Sequence, residues 1–151
     1  MLKKKLFGIL PLILGLMLVF TLIGCKDDGP GGIYGGNDMG EGWPSSSKLN
    51  QFGLNGMSQP TGATNITWVD YTDLPYTGYN YPIIYIGFSG TAATSTAIYN
   101  WFNTNGWTPD TSDYFDPTTG TAVCTYTKGS YEAYFCFGSG TGWIISGAPL
   151  Y

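Results

Sequence analysis

The alternation on either side of Lys128-Gly129 narrows the fold more than any other feature of this chain. Residues 121–127 and 130–137 are each strand-like, and a two-residue turn at Lys128-Gly129 joins them into a hairpin. That turn pairs Thr127 with Ser130, Tyr126 with Tyr131, Cys124 with Ala133 and Ala122 with Phe135. One face then carries Ala122, Cys124, Tyr126, Tyr131, Ala133 and Phe135. The other carries Val123, Thr125, Thr127, Glu132, Tyr134 and Cys136. A slip of one residue would mix the two sets, so an antiparallel sheet with one core face is strongly specified.

The rest of the chain supplies partners for this hairpin. Residues 65–71 are β-branched and aromatic, and 73–80 must turn at Pro75 and Gly78. Residues 81–88 form the strongest single strand, with Ile84, Ile86 and Phe88 on one face and Ile83 and Tyr85 on the other. Residues 91–105 are the helix candidate. Ala97, Ile98, Trp101 and Phe102 recur at three-and-four spacing, and Thr91 stands at the N-cap. Gly106 serves as the left-handed stop, and Trp107 folds back onto Phe102. Residues 107–120 are acidic and turn-forming, with room for a short irregular strand, and 143–146 supply a last strand. The order β-β-α-β-β-β predicts an α+β fold: a two-layer sandwich, one helix packed on an antiparallel sheet of about five strands.

Composition then removes whole classes of chemistry. The chain contains no His, and its cationic side chains are all Lys. His-assisted nucleophiles, His metal sites and arginine clamps on phosphate are therefore excluded. Nucleic acid is excluded as a partner, because no basic footprint exists to release counterions. The 12 Tyr, 8 Phe and 5 Trp, together with 23 Gly, describe a β-rich, turn-rich domain.

Lys3, Lys4 and Lys5 precede an uncharged run over residues 6–24, and Cys25 follows, with Lys26-Asp27-Asp28 directly after it. A basic start and an apolar middle are the logic of a secretory leader. The run is also long enough to be read as an uncleaved membrane anchor. Its end separates the two readings: Leu22-Ile23-Gly24-Cys25 closely resembles the bacterial lipobox. The resemblance, which covers the first 25 residues, implies that Cys25 takes a diacylglycerol thioether and, after cleavage, an acylated amino terminus. Several acyl chains hold a protein to a membrane far more firmly than one. After cleavage Lys26, Lys48 and Lys128 face all 10 acids, a net charge of about −7 by side-chain count. The folded region resembles small uncharacterised bacterial lipoprotein domains, in which a helix ending in Asn-Gly-Trp precedes a hairpin. That likeness brings no activity and no site residues with it.

Three regions follow: a leader over 1–24, a flexible Gly/Ser/Asn-rich tether over 25–59, and an α+β domain over 60–151. The tether has too little apolar surface to offset the entropy of ordering. Ile33, Tyr34, Trp43 and Leu54 leave open a short docking motif within it. Cys124 and Cys136 fall on opposite faces and out of line, which predicts two reduced thiols although the compartment permits a bridge. Asp110, Asp113 and Asp116 recur every third residue without following an EF-hand loop, and read as turn carboxylates rather than calcium ligands. The alternative function is a hydrolase of envelope glycans acting through carboxylates such as Asp70 and Asp73, although no motif surrounds that pair. No cofactor is implied. The aromatic surplus remains. Tyr81, Tyr85 and Tyr134 lie away from the core face and form the candidate contact surface for a protein or glycan. The predicted function is a lipid-anchored, non-enzymatic binding module of the cell envelope.

Overall fold

The computed structural model describes residues 38–71 and 82–148. Ten elements follow in chain order: β1 (Asp38–Glu41), α1 (Ser46–Gln51), β2 (Thr64–Tyr71), β3 (Ile83–Ser89), α2 (Ala92–Thr104), β4 (Thr108–Pro109), β5 (Tyr114–Phe115), β6 (Ala122–Lys128), β7 (Tyr131–Gly138) and β8 (Thr141–Gly147). The strands make one eight-stranded sheet in the order β1-β2-β3-β8-β7-β6-β4, with β5 also pairing β6. Every pairing is antiparallel.

The α+β architecture stands, but the sheet has eight strands rather than about five. The additions, β1, β4 and β5, are two to four residues long. Segments that short carry no periodic signal, and they are strands only because β2 and β6 offer them partners.

One face of the sheet holds the core. Ile84, Ile86 and Phe88 of β3, Ile144 of β8, Ala133, Phe135 and Phe137 of β7, and Ala122, Cys124 and Tyr126 of β6 are buried together. Helix α2 covers them with Ile98 and Phe102. Phe102 stacks on Tyr126 at 4.4 Å and meets Trp107 edge-on at 5.4 Å. At the helix start, Thr91 N donates to Thr94 Oγ1 at 3.1 Å. Gly106, just past the helix, has φ +77°, a conformation that costs glycine least. Both ends are therefore where the local signals put them.

The hairpin register differs from expectation. Lys128 pairs Tyr131, Tyr126 pairs Ala133, Cys124 pairs Phe135 and Ala122 pairs Phe137. The turn is therefore Gly129-Ser130, one residue later than Lys128-Gly129, with Gly129 at φ +60°. Moving the turn by one residue shifts the pairing by two, and side chains alternate with period two. Both faces thus keep their membership. Cys124 and Cys136 are free thiols on opposite faces.

The tether requires correction. Residues 38–59 are part of the fold, not a flexible spacer. Leu49, Phe52, Leu54 and Met57 are buried in the core, Ser45 Oγ accepts from Lys48 N at 3.2 Å to cap α1, and Ser146 Oγ donates to the Phe52 carbonyl at 2.7 Å. Four apolar side chains suffice because the sheet supplies the surface they cover. The leader, Cys25 and the tether up to residue 37 lie outside the described residues. Among the described residues no helix is long and apolar enough to cross a membrane.

Candidate functional site

The sheet face opposite α2 is built by the alternate residues of each strand. One cross-strand row runs Val69–Tyr85–Ile145–Tyr134–Thr125 over β2, β3, β8, β7 and β6. The next runs Thr67–Gly87–Trp143–Cys136–Val123, and Tyr114 of β5 continues it. Tyr85 and Tyr134 therefore share a face and a row but are separated by β8, with Ile145 between them. Tyr81 lies outside the described residues.

Trp143 is the residue that sequence reasoning missed. It stacks with Tyr85 at 6.4 Å between ring centroids, the planes inclined by 24°. Its parity was readable, because Trp143 alternates with Ile144 as Tyr85 alternates with Ile84. Its neighbour was not, because that depends on β8 being inserted between β3 and β7.

The electrostatics of this face are simple. Burial raises the Tyr85 hydroxyl, with smaller contributions from Tyr71 and Cys136. Burial, then Glu132, pushes Tyr134 up to about 12. Burial also pushes the Cys136 thiol up to about 12. At neutral pH these groups are uncharged, and a thiol so raised is a poor nucleophile. Glu41 and Glu132 are set on this face, and Asp110, bonded through its backbone to Thr125, adds a third carboxylate that acts on Tyr134. Lys48 and Lys128, the two cations among the described residues, are both turned to the other side. Lys48 Nζ holds Asp70 Oδ2 at 2.7 Å, and Lys128 Nζ donates to the Asn105 carbonyl at 2.8 Å.

The remaining candidates are spent on structure. Asp70 is buried and ion-paired to Lys48, whereas Asp73 lies outside the described residues. In the acidic loop, Asp110 Oδ1 accepts from Ser112 N at 3.0 Å and Asp116 Oδ1 from Thr118 N at 2.8 Å. These bonds hold both carboxyls below their usual range. Asp113 Oδ1 accepts from Thr125 N at 2.7 Å, and burial raises that carboxyl. Asp110 and Asp116 thus serve their own turns and Asp113 ties the loop to β6, and among the described residues no group of three metal-ligating side chains converges. On the helix side, Met57, Pro60, Ala97 and Trp101 line a cleft of about 170 Å³, smaller than typical ligand sites.

Comparison with protein-family models, with curated proteins and with solved structures finds no match.

Proposed function

We propose that this protein is a lipid-anchored, extracytoplasmic binding module of the bacterial cell envelope, without enzymatic activity, that engages its partner through the outer face of the sheet. The observation that carries the reading is the pair of adjacent rows bearing Tyr85, Tyr134 and Trp143 on a continuous sheet. Rigid aromatic rings offer large contact area at low entropic cost. The anchor rests on Leu22-Ile23-Gly24-Cys25 and the charged residues that follow it. A carboxylate hydrolase is disfavoured because Asp70, one of its two acids, is held by Lys48. Among the described residues both lysines are engaged, Lys48 by Asp70 and Lys128 by the Asn105 carbonyl, which disfavours nucleic acid.

The test uses the full chain solubilised in detergent. Replacing Tyr85 and Tyr134 together by Ala should leave the circular dichroism spectrum unchanged and weaken capture of an envelope component more than tenfold. Undiminished capture by the folded double variant would rule out this face. In a bacterial host, wild type should incorporate labelled fatty acid and Cys25→Ser should not. Equal labelling would sink the lipid anchor.

A further inference from the structure

We infer that the ligand of the outer face is an extended, neutral polysaccharide lying across the strands along the row Thr67–Gly87–Trp143–Cys136–Val123. This rests on the reading of that face as a binding surface, and adds which part of it binds and what it takes.

The row is open at both ends and half-buried at Gly87, Trp143 and Cys136 between them. Thr67 is exposed, Val123 is 59 % exposed and Tyr114 55 %. In the neighbouring rows Ile145 at 8 % and Tyr71 at 6 % are buried, and Tyr85 and Tyr134 are half-buried. Strands lie about 4.8 Å apart, so from β2 to β6 the row offers a straight path of about 19 Å. A ligand matching it is long and narrow rather than compact.

Gly87 shapes the path. A Cβ there would stand 3.2 Å from the Tyr85 ring, 3.5 Å from its hydroxyl and 3.6 Å from Thr67 Oγ1. Tyr85 therefore leans along its own strand over the glycine, beside the Trp143 ring and towards the Thr67 hydroxyl. The row is flanked along its side, one step further along β2, β3 and β8, by neutral hydrogen-bonding groups. Asn65 Nδ2 donates to Ser89 Oγ at 3.3 Å in an exposed position, and Thr141 pairs Ser89 across β3 and β8. Asn65 reaches this place through a left-handed conformation, φ 48°, where the β2–β3 register shifts. Such a conformation carries strain in a residue other than glycine.

A pyranose ring has two kinds of surface. Its C–H faces pack on aromatic rings, and its hydroxyls need donors and acceptors at the edge. Rings flanked by hydroxyls and an amide satisfy both. An acidic polymer would meet Glu41, paired to Thr67 at the head of the row, and neither lysine among the described residues, Lys48 or Lys128, stands on this face to offset it.

The probes are soluble β-glucan, xylan, galactomannan and chitohexaose, with polygalacturonate as the anionic comparison. The full chain is studied in polyoxyethylene-ether micelles, by affinity electrophoresis and tryptophan fluorescence. At least one neutral probe should bind. Trp143→Ala should weaken that binding at least tenfold, and Thr67→Val and Asn65→Gly, the latter removing the amide while keeping the left-handed backbone, about threefold each. The inference is overturned if no neutral probe binds, if the three variants bind like wild type, or if polygalacturonate binds as tightly. Loss of sugar binding with envelope capture still sensitive to Tyr85 and Tyr134 would leave the face a protein-binding surface. Failure of both assays would remove the binding-face reading itself.

Discussion

Lys48 Nζ lies 2.7 Å from Asp70 Oδ2 and 3.2 Å from Asp38 Oδ2, so one ammonium fastens α1 to β2 and to β1. It also stands 5.6 Å over the Trp68 ring. The Asp70 side chain is only 3 % exposed, and its Oδ1 is buried without a partner. Removing the cation strands a buried carboxylate, which costs on the order of 3 kcal/mol. Lys48→Met should lower the unfolding free energy by about that amount, measured by urea denaturation. Lys48→Met combined with Asp70→Leu should cost less than the two single changes added together, because they share one interaction. A Lys48→Met protein as stable as wild type would show the pair to be idle.

Alkaline pH should loosen the fold. Cys136 and Tyr134 are raised from 9.0 and 10.0 to about 12. Lys48 is raised above 10.5, first by its hydrogen bond to Asp70. For each group the folded value exceeds the unfolded one. The unfolded chain therefore sheds the proton first, and stability falls as pH rises between the two values. Stability is fully present below pH 9.0 and declines towards about 12 as Cys136, then Tyr134 and Lys48, cross their windows. Tyr134→Phe should flatten that decline, read as the midpoint of denaturant unfolding at successive pH values. An unchanged slope would contradict the assignment.

The segment before residue 60 should be indispensable. Phe52 is 1 % exposed and its carbonyl accepts from Ser146 Oγ. Phe52→Ala should destabilise by about 3–5 kcal/mol, the usual cost of truncating a buried phenylalanine. A chain starting at Pro60 should fail to fold cooperatively. A sharp thermal transition in that truncated chain would restore the tether.

The two thiols should differ in access and never bridge. In a Cys25→Ser protein purified without reductant, Cys136 should alkylate slowly in the native state and Cys124 only after unfolding. Mass spectrometry should then count two modified thiols. A mass lower by two hydrogens, with no alkylation, would mean that a disulfide forms.

Local physics accounts for what was legible in advance. Side chains alternate along a strand whatever it pairs with, so Cys124 and Tyr126 were separable from Val123 and Thr125 before any partner was known. Helix α2 was legible for a similar reason: Thr91, Gly106 and the Ile98–Phe102 spacing act within a few residues of one another. The turn escaped by one residue because Lys128-Gly129 and Gly129-Ser130 segregate the same side chains onto the same faces.

By itself, then, the sequence determined the parity of each strand, the helix with its caps, and a chemistry without imidazole or guanidinium. Only the tertiary structure decided that Leu49, Phe52, Leu54 and Met57 are core, because sparse apolar residues gain from burial only when a sheet is there to cover. It alone brought Trp143 beside Tyr85, because β8 enters between β3 and β7, and strand order is set by the packing of the whole sheet rather than by any local run of residues.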